Sequence, residues 1–159
     1  PERLLSLGLV NTISSYDETG RQVWRDWVAK VRRYGTKIMH DDLMERWFTP
    51  EALRRQIPGV EYMSEAYRAF PDTAFEYIAH AIITDLQYSN RISDIKIPTL
   101  IVASPNDPGI PRKASELLNE RINGSKLEWL SPAHHLATLE HPEAFNTILS
   151  KFLAKQSQD

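Results

Sequence analysis

Three short apolar runs stand out along this chain. They cover residues 4–11, 99–103 and 127–130, and only a few polar residues, such as Ser6 and Glu128, interrupt them. Near-continuous apolar runs of this length are typical of parallel strands that are covered on both faces. We therefore expect three buried strands, the second of them entered through Pro98.

Between the first two runs the hydrophobic pattern is helical. Apolar residues recur at intervals of three and four over residues 23–31, opposite charged ones, and Gly35 is the expected C-cap of this helix. Prolines divide the next segment into further helical pieces, which we expect at 38–48, 51–57, 62–70 and 73–87. Two more helices are predicted after the second strand, over 112–122 and from Pro142 onward.

The order strand, helices, strand, helix, strand, helix predicts an α/β fold with a parallel sheet. We assign residues 1–16 to a core strand and its exit loop, 17–95 to an all-helical cap or lid, and 96–159 to the C-terminal part of the core. Three parallel strands make a poor free-standing sheet, because parallel strands need cover and open edges invite pairing. The chain therefore looks like part of a larger sheet.

Composition excludes several classes of function. The chain has no cysteine, so disulfides, thiolate metal sites and a cysteine nucleophile are all ruled out. The net charge of -2 comes from interspersed positive and negative residues, so the sequence shows no basic cluster of the kind that binds nucleic acid or an anionic membrane. No apolar run reaches the ~20 residues of a membrane helix. These features predict a cytoplasmic protein that acts on a small molecule.

Polar residues that follow buried strands are the first candidates for chemistry, because ligands bind beyond the carboxyl ends of parallel strands. Asp107 and His135 each occupy such a position, with His134 beside the latter. Taken alone, Asp107 also fits a turn residue, and either histidine fits a surface or packing role. Together, an acid and a histidine could orient and activate a serine.

The other candidates are weaker. Ser14, Ser15 and Ser104 follow strands but lack the sharp glycine-flanked turn of a nucleophile, so a role as polar loop or cavity lining fits them better. His40 precedes two aspartates at what looks like an exposed helix start, and no histidine pair has metal-ligand spacing. We therefore expect no metal site, and His80 and His141 are interpreted as surface or packing residues.

The last third of the chain resembles the C-terminal part of an α/β-hydrolase. The resemblance rests on residues 97–102 (Ile-Pro-Thr-Leu-Ile-Val), 106–108 (Asn-Asp-Pro) and 133–146 (Ala-His-His-Leu-Ala-Thr-Leu-Glu-His-Pro-Glu-Ala-Phe-Asn). The opening 1–7 (Pro-Glu-Arg-Leu-Leu-Ser-Leu) resembles the segment after that family's nucleophile helix. Residues 45–50 (Glu-Arg-Trp-Phe-Thr-Pro) and the closing block resemble the 3-oxoadipate enol-lactonases.

The resemblance implies a cofactor-free hydrolase with Asp107 as the acid and His135 as the base. His135 aligns better than His134 because it directly precedes Leu136, although the doublet leaves the choice of base open. Trp47 and His134 are the residues that the resemblance suggests for substrate binding. In this chain Ala103 and Ser104 replace a glycine that is usual before the acid loop, which affects the geometry of that loop.

The sequence G-x-S-x-G, which carries the nucleophile in this family, occurs nowhere in the chain. The resemblance therefore implies an ester or (enol-)lactone hydrolase whose N-terminal half, with the serine and the oxyanion hole, is a separate partner, and a chain that is inactive alone. Two alternatives stay open: a non-catalytic binding or interaction module, or another α/β-hydrolase activity. The latter includes epoxide hydrolases, with an aspartate nucleophile, carbon–carbon bond hydrolases and cofactor-free haloperoxidases.

Overall fold

The computed structural model describes residues 3–156, and positions 1–2 and 157–159 lie outside the described residues. Three strands and eight α-helices follow one another along this part of the chain. They are β1 (Leu7–Val10), α1 (Glu18–Tyr34), α2 (His40–Trp47), α3 (Pro50–Arg55), α4 (Pro58–Arg68), α5 (Asp72–Thr84), β2 (Thr99–Ala103), α6 (Arg112–Arg121), β3 (Lys126–Trp129), α7 (Ala137–Glu140) and α8 (Pro142–Gln156). Short 3-10 helices at Thr36–Met39 and Ile92–Asp94 complete the chain order.

The strands form a parallel sheet in the order β1-β2-β3, as the sequence predicts. Leu7 lies opposite Thr99 in the first pair, and Leu100 lies opposite Lys126 in the second. The central strand β2 is buried at every residue. The expectation that β1 is buried on both faces is wrong for this chain, because β1 is an edge strand and its residues are partly or fully exposed. The strand is also shorter than predicted, since the exposed Leu4 and Leu5 precede it.

Helices cover both faces of the sheet. On one face, Leu100 and Val102 pack with Ala133 and Ala137 against apolar side chains of α8. On the other face, Ile101 packs against α6 and the residues that flank it. This alternation along β2 places successive side chains on opposite faces, as strand geometry requires. Because every β2 position is covered, its carboxyl end is a rigid support for the loop after it.

The helices between β1 and β2, here called the interstrand helices (α1–α5), have an apolar core of their own. Its buried members are Val31, Met39, Leu43, Tyr67, Phe75 and Ala79. The Asp17 carboxylate accepts a hydrogen bond from Gly20 N at the start of α1. At its end, Gly35 adopts φ 77° and donates its N–H to the Val31 carbonyl, which confirms the predicted C-cap. The division at 16/17 and 95/96 stays a prediction.

Several helix boundaries differ from the sequence expectation. The piece expected at 38–48 is split into a 3-10 helix and α2, and α4 begins at Pro58 rather than at residue 62. Proline at the first helical turn explains the earlier start, because its missing N–H has no intrahelical partner there anyway. Tyr62 in α4 and Tyr77 in α5 are 64% and 79% exposed. Within residues 3–156, no helix has both the length and the apolar character needed to cross a membrane.

Candidate active site

Asp107 lies on the loop after β2, and backbone and side-chain donors surround its carboxylate. Oδ1 accepts hydrogen bonds from Gly109 N at 2.7 Å and from Ile110 N at 3.0 Å. Oδ2 accepts from His135 Nδ1 at 2.8 Å and from Asn11 Nδ2 at 3.0 Å. Only 1% of the side chain is exposed. The loop therefore presents an oriented carboxylate whose oxygens are both occupied.

The electrostatics of this carboxylate favour the ionised form. Burial alone would raise the pKa of Asp107, since it removes water from the charge. Hydrogen bonds from His135, Asn11 and Gly109, together with the charge of a protonated His135, outweigh that effect and hold the pKa below its usual value. Asp107 is thus an anion that can accept a hydrogen bond from an N–H group without taking its proton.

His135 lies on the loop between β3 and α7, facing Asp107. Because the ionised Asp107 can only accept, Nδ1 must carry the hydrogen, and in the neutral ring Nε2 is then an acceptor. Among residues 3–156, nothing hydrogen-bonds to Nε2. The side chain is 32% exposed and lines a cavity of the described chain. Its free nitrogen is therefore available to a reacting group in that cavity.

The histidine loop is attached to the interstrand helices by backbone contacts. Leu136 N donates to the Trp47 carbonyl at 2.9 Å, at the end of α2. Glu140 accepts from the backbone N–H and the hydroxyl of Thr49 through one carboxylate oxygen and from His134 N through the other. These contacts join the loop that carries His135 to the end of α2. The position of His135 thus depends both on the sheet that carries its loop and on the interstrand helices.

His134 has a different environment from its neighbour. Its Nδ1 is 3.1 Å from the Glu45 carbonyl, and the side chain is not among those that line the cavity. The structure therefore brings His135, and not His134, to Asp107. A role of His134 in substrate binding remains a prediction, and the geometry gives it no contact with the cavity.

A cavity of about 750 Å³ lies between His135 and the interstrand helices. Its walls are mainly apolar, and Trp47, for which the resemblance suggests substrate binding, is among the lining residues. The aromatic rings that line it are Tyr16, Trp24, Trp27, Trp47, Tyr67, Phe70 and Phe75. Trp24 and Trp27 meet edge to face at 5.0 Å, and Trp47 and Tyr67 at 5.5 Å. Such walls favour a ligand with an apolar body.

Three polar residues of the site were not identified from the sequence. Arg46 lies over the Trp27 ring at 5.3 Å and donates to the Pro108 carbonyl at 3.2 Å. Burial raises the pKa of Tyr16, and the charge of Asp107 adds to the rise, so its hydroxyl stays neutral. Asn11, the third, directly follows β1. The one signal in the sequence is position, because Asn11 and Tyr16 both follow the first strand.

No serine of residues 3–156 is hydrogen-bonded to His135. The Ser104 hydroxyl donates to the His134 carbonyl, and Ser14 and Ser15 are hydrogen-bonded to Ser89. These contacts fit the expected roles in polar loops. The same part of the chain holds no group of three side chains suited to a metal ion.

A serine–histidine–aspartate contact lies on the surface of the interstrand helices. His40 Nε2 is 2.9 Å from Ser64 Oγ, and its Nδ1 is 2.7 Å from Asp41 Oδ1. Ser64 lies inside α4, where backbone N–H groups donate to carbonyls of the same helix and cannot stabilise an oxyanion. Asp41 is also 96% exposed, so it orients the ring weakly. This cluster is a helix-to-helix contact.

Comparison with known proteins supports the architecture. No family model matches the sequence. A 2-hydroxy-6-oxononadienedioate/2-hydroxy-6-oxononatrienedioate hydrolase of Escherichia coli is 38% identical over 68 residues, which are 43% of this chain and 24% of the relative. A hydrolase from Pseudomonas aeruginosa PA01 superposes with a TM-score of 0.88 at 27% identity. The enol-lactonase from Burkholderia xenovorans LB400 gives a TM-score of 0.88 at 23% identity.

Both structural matches cover 96% of this chain but 57% of the other protein. The chain thus spans little more than half the length of these solved structures. The shared part includes the parallel sheet, the interstrand helices and the loops of Asp107 and His135, because these make up nearly all of the described residues. The chain therefore has the α/β-hydrolase fold and corresponds to the C-terminal part of such a hydrolase.

Proposed function

We propose that this chain is the part of a cofactor-free α/β-hydrolase that carries the acid and the histidine, acting on an ester or (enol-)lactone. The observation that carries the proposal is the Asp107–His135 pair, with Nε2 free toward an apolar cavity. In this proposal His135 Nε2 takes the proton of the attacking hydroxyl and returns it to the leaving group. Asp107 holds the ring in the required tautomer and stabilises the imidazolium.

The nucleophile in this proposal is a serine that lies outside residues 1–159, in a G-x-S-x-G turn. The open edge of β1 supports this arrangement. A further parallel strand on that edge would end beside Asn11, at the same end of the sheet as the loops of Asp107 and His135. A nucleophile turn that follows such a strand would lie next to the histidine. The proposal is the same whether that strand is covalently joined to this chain or belongs to a separate polypeptide.

The interstrand helices act in this proposal as the cap that excludes water and selects the acyl group. Support comes from the cavity, whose walls α1, α2, α4 and α5 supply on the side facing His135. An apolar chamber strengthens the electrostatic interactions at the reacting carbonyl by removing water. It also favours substrates whose acyl body is apolar.

A second candidate is carbon–carbon bond hydrolysis, favoured by the name of the E. coli relative. The same pair and cavity serve both reactions, so the substrate distinguishes them. Parallel assays with a p-nitrophenyl ester, an enol-lactone and a 2-hydroxy-6-oxo-dienoate would rank the candidates by kcat/KM. The ester or lactone proposal fails if only the dienoate turns over.

The nucleophile is tested on protein captured from its own cells with an antibody against this chain. Labelling with a fluorophosphonate, followed by mass spectrometry, identifies the reactive serine. We expect the label on the serine of a G-x-S-x-G sequence outside residues 1–159. A label on any serine of this chain, or no labelled serine and no such sequence in the captured material, contradicts the proposal.

The base is tested by paired substitutions in the same nucleophile-containing protein. His135→Ala is expected to lower kcat by about a thousandfold or more, because proton transfer to Nε2 is lost. His134→Ala, the matched control, is expected to keep most of the activity, since its ring faces the Glu45 carbonyl. Equal losses in the two variants would contradict the assignment of His135.

A further inference from the structure

The amide of Asn11 reaches the acid–histidine pair from the end of the neighbouring strand. Its Nδ2 is 3.0 Å from Asp107 Oδ2, the same oxygen that accepts from His135 Nδ1. The same nitrogen is 3.0 Å from Ser104 Oγ and 3.4 Å from the His134 carbonyl. The Asn11 side chain thus touches the acid, its supporting loop and the residue before the base.

Ser104 completes the connection. Its hydroxyl accepts from Asn11 and donates to the His134 carbonyl at 2.8 Å, and the residue is 2% exposed. A hydroxyl that accepts from one group and donates to another uses its single hydrogen in one direction only. The hydrogen bonds therefore run from the end of β1, through the loop after β2, to the loop that carries His135. Buried networks of this kind fix geometry, because breaking one bond leaves a group without water.

The orientation of the Asn11 amide follows from its neighbours. Asp107 Oδ2 is an ionised acceptor, so the group that faces it must be the NH₂ and not the carbonyl oxygen. Asn11 is 6% exposed and has φ 41°, a left-handed conformation that asparagine tolerates better than most residues. Asparagine therefore meets two demands at once, a left-handed backbone at the strand end and a donor aimed at Asp107.

We propose that Asn11, acting with Ser104, is a positioning residue that holds Asp107 Oδ2 toward His135 Nδ1. This inference rests on the proposed roles of Asp107 and His135. Without the amide, Oδ2 keeps only the His135 donor, while the backbone N–H groups of Gly109 and Ile110 still hold Oδ1. The neutral histidine then meets a less firmly held acceptor at Nδ1, and the population of the tautomer with the hydrogen on Nε2 rises. That tautomer cannot take a proton at Nε2.

The test measures the tautomer directly, on the full chain, with ¹⁵N-labelled histidine and NMR at a pH where the ring is neutral. The variant is Asn11→Gly, because glycine accepts the positive φ and the change removes the amide without straining the backbone. We expect the ratio of the Nε2–H to the Nδ1–H form of His135 to rise about tenfold, the size expected when a charged acceptor loses one hydrogen bond. A ¹³C-carboxyl titration of Asp107 should show its pKa rising in the same variant, because a donor to the charged form is gone.

Ser14→Ala is the matched control, since Ser14 is also buried, follows the same strand and is hydrogen-bonded to Ser89 rather than to the pair. It is expected to lower the melting temperature without changing the His135 tautomer. Ser104→Ala gives a second variant in case Asn11→Gly does not fold. Because Asp107 keeps its Asn11 donor there, the ratio should rise less, by about threefold.

An unchanged tautomer in Asn11→Gly overturns the inference, as it would assign Asn11 to stability alone. If that variant is unfolded, an unchanged tautomer in Ser104→Ala overturns it equally. Neither readout needs turnover, so the outcome is separate from that of the proposed function. A tautomer change without any hydrolysis would support the inference and count against the hydrolase. Hydrolysis that depends on His135, with an unchanged tautomer, would support the hydrolase and count against the role of Asn11.

Discussion

At the scale of single residues, Asp107 combines deep burial with a negative charge. Each carboxylate oxygen accepts two hydrogen bonds, so the charge loses its water but keeps four donors. A charge with this many donors is stable in the folded chain and has fewer partners once the chain unfolds. Its protonation state is therefore linked to folding.

The first prediction concerns the stability of the fold in acid. Since the folded pKa of Asp107 lies below its ordinary value of 3.8, its ionised form stabilises the fold above that pH, and this contribution is lost as the pH falls through the folded pKa. Asp107→Asn should be less stable than the wild type at pH 7, and the gap should narrow below pH 3.8. Denaturant unfolding across this range measures it. A stability difference that does not change with pH would contradict the link between protonation of Asp107 and folding. Asp94→Asn, at an exposed position, is the control.

The pairing of Asp107 with a histidine could be predicted from the sequence, since each follows an apolar run that predicts a strand of a parallel sheet, and the resemblance favours His135 over His134. Asn11 and Arg46 could not. Asn11 meets Asp107 across 96 positions of the chain, and Arg46 meets the Pro108 carbonyl across 62. A polar residue at a strand end looks the same in sequence whether or not it reaches a neighbouring loop. Long-range contacts of this kind depend on register and loop geometry, which local patterns do not encode.

At the scale of elements, α4 packs so closely against α7 at Gly59 that there is almost no room for a side chain. A Cβ added to Gly59 would lie 2.9 Å from both the Cβ and the carbonyl oxygen of Leu139. The carbonyl belongs to the backbone of α7 and cannot move independently. This contact sets the distance between the interstrand helices and the element that follows the histidine loop.

We predict that Gly59→Ala lowers the free energy of unfolding by about 1–3 kcal/mol, the usual cost of overpacking a tight contact. The helix propensity of alanine acts in the opposite direction but is smaller, at about 1 kcal/mol. Urea unfolding measures the difference. Gly8→Ala is the control, because a Cβ there meets nothing within 4 Å. Equal stability of the Gly59 variant and the wild type would mean that α4 can move away from α7 without cost.

The Glu140 side chain links the histidine loop to the N-terminus of α3, through Thr49. Glu140→Ala removes the acceptor of Thr49 N and His134 N, so we expect a loss of about 1.5–3 kcal/mol in unfolding free energy, the usual worth of hydrogen bonds to a charged group. Hydrogen exchange at the amides of Thr49 and His134 should increase with it. The exposed Glu120→Ala is the control. Exchange that stays at the wild-type rate would contradict the link.

The identity of most elements could be predicted, and their boundaries less well. The helix expected at 38–48 is broken because residues 36–39 form a 3-10 turn, where the Thr36 backbone N–H and hydroxyl both donate to Asp72 Oδ1. Helical periodicity cannot reveal a contact with a residue 36 positions away. The four-residue helix α7 is similarly too short to produce a periodic pattern.

At the scale of the whole molecule, β1 has one paired edge and one open edge. Leu7 N donates to the Pro98 carbonyl and Asn11 N to the Val102 carbonyl, so alternate N–H groups of β1 point to β2. The N–H groups of Gly8 and Val10 therefore point the other way. Among the described residues, no strand pairs with that edge.

This geometry predicts opposite results for prolines at adjacent positions. Gly8→Pro should change the stability of this chain by less than about 1 kcal/mol, since proline is tolerated where the N–H faces an open edge. Leu7→Pro, which removes the donor to Pro98, should cost about 1 kcal/mol or more. Thermal unfolding compares the two. Gly8→Pro should also weaken association with any nucleophile-bearing strand, and unimpaired association would contradict the proposed location of that strand.

The α/β class and the parallel sheet could be predicted from three apolar runs, because a buried parallel strand has few sequence alternatives. Which strand lies at the edge could not. The runs at residues 4–11 and 99–103 both predict a buried strand, yet β1 is partly exposed and β2 is fully buried. Apolar character reports the environment that a strand is suited to, whereas its exposure depends on which neighbours are present.

The hydrogen bond from Leu136 N to the Trp47 carbonyl affects how the site can change over generations of mutation. Because both partners are main-chain atoms, substitution of either side chain leaves the bond available. Trp47 also forms part of the cavity wall. A mutational library at position 47 can therefore reshape the cavity wall while the loop of His135 stays attached to the end of α2.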